Sequence, residues 1–170
     1  TLGDVRLAGD QTIITAKGSG EDYLFKLSVP GRHFAMNAVG VLAVADAMGA
    51  DPMQAALDIA GWVPPEGRGT REALALDLTD EADTIDLIDD AFNANPTSLT
   101  AALEVLASYT PRDNVGRVVK GRRVAILGDM LELGVKSAEY HIEIVAKLKQ
   151  LSIEEAILIG PIFNSVQSTE

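Results

Sequence analysis

An α/β fold in two successive units is what this 170-residue sequence predicts. Three observations carry that expectation. A β-rich opening gives way to a helical apolar period over 34–48. A proline- and glycine-rich break follows at 62–71. Beyond it, strand-like and helix-like segments alternate to the end.

Within the opening, 12–16 is β-branched and apolar, and Gly18-Ser19-Gly20 supplies a turn. Tyr23, Phe25, Leu27 and Val29 then alternate with Leu24, Lys26 and Ser28, the period of a half-buried strand that Pro30-Gly31 ends. Over 34–48 the stripe Phe34, Ala38, Val41, Leu42, Ala45 and Met48 predicts a helix. Ala35, Val39, Ala43 and Val44 lie on its other faces, so burial on more than one side is expected. Gly49 suits the C-cap, and Asp51-Pro52 reads as the N-cap and first turn of a shorter helix. The stretch 62–71, WVPPEGRGTR, has no sustained apolar period and is read as the linker.

After the linker, 72–78 and 84–88 read as strands and 96–108 as a helix with Leu99, Ala102, Leu103 and Leu106 on one face. RVAIL at 123–127 is a short strand, 138–151 a helix and 156–159 a further strand. Strand-helix alternation predicts a mostly parallel sheet with right-handed crossovers.

Composition narrows the function. Hydrophobic residues make up 47% of the chain, which suits a packed core, and no apolar run reaches the ~18–20 residues of a membrane span. Residues 1–10 carry charges and glycines where a signal peptide would be apolar, and there are no cysteines for disulfides or metal ligation, so a cytoplasmic location is expected. The net charge of −11 opposes nucleic-acid and anionic-membrane binding. The basic cluster at 120–123 reads as a solvated lead-in to the RVAIL strand, and Glu154-Glu155 and 77–83 read as solvated acidic surface.

Two loops follow strands at the position where α/β sheets hold ligands. The first, 89–96 (DDAFNANP), has Asn95 and Pro96 as a helix start, which leaves Asp90 and Asn93 on the turn. On the residues alone, turn formation and capping are the simpler account of Asp89, Asp90 and Asn93. The second, 128–134 (GDMLELG), offers Asp129 and Glu132 for an amine or a metal, or as plain solvated carboxylates. His33 and Asn37, four apart, share a helix face and suit a planar heterocycle or simple packing. His141 stands alone on an amphipathic helix and reads as a packing residue. The chain has no Gly-x-Gly-x-x-Gly, no Gly-Lys-Ser/Thr and no zinc-spaced histidine pair.

Four segments, in order, resemble the Mur ligase family of cell-wall amide ligases: PGRHFAMNAVGVLAVADAMG (30–49), EGRG (66–69), LIDDAFNANPTSLTAALEVL (87–106) and VAILGDMLELG (124–134). The last two are most similar to the branch that adds D-alanyl-D-alanine to UDP-N-acetylmuramoyl-tripeptide. A folylpolyglutamate synthetase would be expected to carry a histidine near Asn93. A non-catalytic nucleotide-binding module is the alternative from another class.

The resemblance implies that 1–65 is the closing part of a central ATPase domain, with β-hairpin strands and helices. It implies that 66–170 is an incomplete, Rossmann-like, mostly parallel C-terminal domain. It places Asn37, with His33 nearby, at the adenine of ATP, Arg68 at the phosphates and Asp90 at the ribose. Asn93, grouped with these nucleotide-binding residues, and Asn95, on the substrate side, match the D-alanyl-D-alanine version of their loop, and Asp129 and Glu132 would face the acceptor. ATP and Mg²⁺ are the implied cofactors, with UDP-N-acetylmuramoyl-tripeptide and D-alanyl-D-alanine as substrates. No catalytic residue is assigned. The family's Gly-Lys-Ser/Thr loop would precede Thr1, so the chain alone is expected to be inactive and to expose surface on which it could self-associate. Phe34 departs from the family, where many relatives have asparagine.

Overall fold

The computed structural model describes residues 1–76, 83–115 and 118–167, divided into two units, Thr1–Pro64 and Pro65–Glu170. The reading of 77–82 as acidic surface, and the last residues of the strand expected at 72–78, lie outside the described residues.

In the first unit, β1 (Leu2–Ala8), β2 (Gln11–Gly18) and β3 (Glu21–Leu27) form an antiparallel meander in that order. Ser19 and Gly20 both have positive φ, at 50° and 83°, as a two-residue type I′ hairpin turn requires. That turn sets the register Thr12↔Leu27, Ile14↔Phe25 and Ala16↔Tyr23. All six of these side chains are buried against α1 (Arg32–Ala47) and α2 (Pro52–Ile59), while Leu24 faces solvent. The Thr12 hydroxyl is fully buried, donating to the Val29 carbonyl at 2.7 Å and accepting from the Gly31 N–H at 2.9 Å. It joins β2 to the entry of α1, and stripping it would leave a buried carbonyl and N–H unpaired at about 1–3 kcal/mol each. Asp51 caps α2 as expected, accepting from the Met53 N–H.

The expectation for α1 needs correction. Phe34, Ala35, Ala38 and Leu42 are buried, but Val41, Val44 and Met48 are exposed, Met48 by 80%. The helix covers the meander with one face and leaves an apolar face uncovered.

In the second unit, β4 (Thr70–Ala75) pairs antiparallel with β5 (Thr84–Asp89), and β6 (Val124–Gly128) pairs parallel with β7 (Glu155–Ile159). The described strands thus do not form the mostly parallel, Rossmann-like sheet that was expected. The connection from β4 to β5 is shorter than the dozen or so residues a parallel crossover needs, so the pair folds back on itself. Only β6 and β7, bridged by α4 (Ser137–Gln150), make the expected parallel unit.

The helix α3 (Pro96–Ser108) begins at the expected cap. Its Leu103 joins Ala125, Leu127, Met130, Ile144, Leu148, Phe163 and Val166 in the core of this unit. Phe163 and Val166 come from α5 (Pro161–Gln167), a helix the sequence pattern did not reveal.

Arg123 and Glu154 also depart from their solvated reading. The Arg123 side chain is only 19% exposed and grips Glu154 with two bonds, at 2.7 and 3.0 Å. It also donates to the carbonyls of Ala107, at the end of α3, and Ser152, in the turn before β7. That hydrogen bonding holds the Glu154 carboxyl down at about 2. Their neighbours Arg122 and Glu155 stay exposed, in line with the solvated reading, and pair at 2.9 Å on the surface. Among the described residues no helix is long and apolar enough to cross a membrane.

Candidate functional site

The second unit builds its site from two loops. At 66–69 the chain turns tightly, with the Arg68 N–H donating to the Pro65 carbonyl and positive φ at Gly67 and Gly69. Two backbone bonds lay this turn along the loop after β5: Phe92 N–H to Gly67 carbonyl at 3.0 Å, and Gly69 N–H to Asp89 carbonyl at 2.8 Å. Gly67 has φ of 73°, a left-handed conformation that favours glycine, while a Cβ there would make only ordinary contact, 3.4 Å from that of Phe92. The Arg68 guanidinium is thereby placed over the Phe92 ring, 4.2 Å from its centroid.

Asp90 follows directly after β5. Its side chain is open to solvent by area, yet crowding by the surrounding loop atoms is the main influence on its carboxyl and pushes it up. Asp89 adds to that, and Arg68 opposes it. Asp89 turns its own carboxylate inward to the Ala91 N–H, leaving Asp90 as the outward acid. Asn93 bonds the next N–H, at Ala94. Asn95 accepts from Thr97 and Ser98 at 3.0 Å each, while Ser98 Oγ accepts from the Asn95 N–H, a complete capping box. The structure therefore brings Arg68, Phe92 and Asp90 into one cluster and gives the oxygen of Asn95 a structural duty.

The second loop leaves β6 at Gly128. Asp129, with a side chain 8% exposed, accepts from the Ile162 and Phe163 N–H groups at 2.9 Å each, and so caps α5 from a distant part of the chain. Gly160 makes this possible: a Cβ there would lie 2.4 Å from the Asp129 carboxyl carbon, at φ 125°. His141 is fully buried. Its Nε2 accepts from the Met130 N–H at 3.0 Å and its Nδ1 meets the Ser137 carbonyl at 2.7 Å, so the Nδ1–H tautomer satisfies both. Its ring stands edge-on to Phe163, and Asp129 Oδ1 is 3.8 Å from Nε2. His141 is thus more than helix packing, since it anchors the loop. Glu132 remains exposed, in the left-handed region at φ 61°.

In the first unit, His33 and Asn37 lie on α1. The His33 ring is half-buried against Phe34, with centroids 3.9 Å apart, and burial lowers its pKa. Its Nδ1 is buried without a hydrogen-bond partner. Gly31 leaves room for the ring, since a Cβ there would be 2.8 Å from His33 Cε1. Asn37 is exposed one turn further along. Phe34 is a core residue, 5.4 Å from Trp62 by ring centroids, which explains why an apolar side chain stands there.

Sequence reasoning passed over Phe92, Gly160 and Thr12 and gave His141 only packing. His141 could have been found from its stripe, because it precedes Ile144 and Leu148 on the buried face of α4. Phe92 offered no local signal, since its partner comes from a turn more than twenty residues earlier.

Residues 76–169, more than half of the chain, match the family model described as Mur ligase, glutamate ligase domain. The UDP-N-acetylmuramoyl-tripeptide--D-alanyl-D-alanine ligase of Bacillus subtilis is 31% identical over 94% of this chain and 31% of its own length. The ligase of the same name from Escherichia coli is 34% identical over 79% of the chain and 26% of its own length. The chain therefore spans about a third or less of the curated relatives it matches. In fold, it is similar to MurF from Acinetobacter baumannii, with a TM-score of 0.80 and 22% identity over 98% of this chain and 33% of that one. MurF ligase from Thermotoga maritima in complex with ADP gives 0.73 at 20% identity, over 97% of this chain and 34% of that one.

Proposed function

The chain belongs to the Mur ligase family, and from that premise we propose that it forms one wall of an ATP-dependent amide ligase. That ligase joins D-alanyl-D-alanine to UDP-N-acetylmuramoyl-tripeptide in cytoplasmic cell-wall precursor synthesis. The observation that carries the reading is the cluster of Arg68 and Asp90 at the end of β5, held by backbone bonds between two loops. A guanidinium and a carboxylate on adjoining loops suit a nucleotide: planar donors for phosphate oxygens and an acceptor for ribose hydroxyls. The Thermotoga maritima MurF ligase, solved in complex with ADP, shares the fold.

In this reading Arg68 offsets phosphate charge and Asp90 orients the ribose. Asn37, in the first unit, is assigned to the adenine on the family resemblance, with His33 four residues before it. ATP supplies the phosphoryl group that turns the tripeptide carboxylate into an acyl phosphate; the acceptor amine then attacks the acyl carbon, loses a proton and expels phosphate. The amide nitrogen of Asn95 faces the dipeptide with Glu132, whose carboxylate suits its ammonium, while Asn93 stands with the nucleotide residues. Asp129 serves the same loop from behind, through α5. Magnesium bound with ATP would offset charge on its phosphates; among the described residues no group of three or more His, Cys, Asp or Glu is placed to hold a metal.

The test is a titration of ADP into the ¹⁵N-labelled chain. Shifts should fall on residues 67–69 and 89–95. Asp90→Ala should weaken binding about ten- to a hundredfold, the loss of one hydrogen bond to a charged group. An unchanged affinity in a folded variant would reduce Asp90 to a turn residue. No Gly-Lys-Ser/Thr string is present, so the chain alone should release no phosphate from ATP with both substrates present. Substrate-dependent release would overturn the one-wall assignment.

A further inference from the structure

We infer that Phe92 is a positioning residue for Arg68: its ring is the surface on which the phosphate-reading guanidinium is held. This rests on the nucleotide reading above. Phe92 is 66% exposed, so its ring contributes little to the core and leaves a face open to a neighbouring side chain. The guanidinium carbon of Arg68 lies 4.2 Å from the ring centroid, and the backbone of Phe92 is tied to Gly67, the residue before Arg68, by the 3.0 Å bond. Ring and guanidinium are therefore fixed to one another from both ends.

Stacking uses the face of a guanidinium and leaves its in-plane N–H donors for an anion. The same unit supplies a contrast. Arg71 lies over the Tyr109 ring at 4.7 Å, but its edge is spent on Asp86 at 3.2 Å, which makes that stack structural. Among the described residues Arg68 makes no such ion pair. Its aliphatic stem is long and flexible, and a ring beneath the head removes rotamers that point away from the loop.

The experiment uses the full chain with tripolyphosphate as probe. A cation–π contact at an exposed site corresponds to about a two- to fivefold change in affinity. Phe92→Leu should therefore weaken tripolyphosphate binding by about that factor, and Phe92→Tyr should restore it. Adding Phe92→Leu to Arg68→Gln should cost nothing more. In proton spectra the Arg68 side-chain resonances should carry the upfield shift of a ring above them, lost in Phe92→Leu and kept in Phe92→Tyr. Unchanged binding by Phe92→Leu would overturn the inference while leaving the nucleotide reading standing. An equal loss in the Arg68→Gln background would overturn it too, by making Phe92 a direct contact. If the wild-type chain does not bind the probe, or Arg68→Gln binds as well as wild type, the phosphate role of Arg68 fails and the inference with it.

Discussion

Asp129→Ala should loosen α5 while the rest of the second unit stays folded. The carboxylate is 8% exposed and takes the Ile162 and Phe163 N–H groups at 2.9 Å each. Alanine leaves both donors without an acceptor at a helix start, where no intrahelical partner exists. One hydrogen bond to a charged group contributes about 1.5–3 kcal/mol, and these two share a carboxylate and a helix end, so they do not simply add. A combined loss of about 2–4 kcal/mol is expected, partly relieved by water entering beside Gly160. Because α5 brings fully buried Phe163 into the core, its opening should be a cooperative local event. The assay is amide hydrogen exchange at Ile162 and Phe163, which should quicken by about thirty- to several-hundredfold. Asp129→Asn should fall between, since one oxygen can still accept while the amide nitrogen faces the other donor. A change below about threefold in Asp129→Ala would show that solvent replaces the carboxylate at little cost, and the capping argument would fail.

Two further outcomes can be measured. Asn95→Ala removes the acceptor for Thr97 and Ser98 and should cost about 1 kcal/mol in chemical denaturation of the second unit; no change would mean that Pro96 alone specifies the start of α3. Glu154 has a folded pKa of about 2 against an ordinary 4.5, chiefly through its bond to Arg123. Its stabilising effect should therefore be complete above about 4.5 and vanish as pH falls through about 2. The melting-temperature gap between wild type and Glu154→Gln should close over that window, and a gap that persists below it would assign the effect to packing.

What the sequence determined by itself was whatever contiguous residues encode. Ser19-Gly20 dictates a hairpin and thus the β2–β3 register, while Asp51-Pro52 and Asn95-Pro96 dictate where α2 and α3 begin. The strand ends carrying Asp90 and Asp129 were legible for the same reason, as short apolar runs broken by polar turns. Tertiary structure decided the rest. Asp129 reaches α5 across 33 residues, Arg123 reaches Glu154 across 31, and the Thr12 hydroxyl reaches the start of α1. No local pattern names such partners, because a charge or hydroxyl is defined by what folds against it. The same holds for Phe92, which looks like any exposed aromatic until the 66–69 turn lays Arg68 over it. Strand direction at β4 and β5 turned on the length of one connection, and α1 was covered on a single face. Hydrophobic periodicity marks the faces that can be buried, and only the assembled neighbours determine which of them find cover.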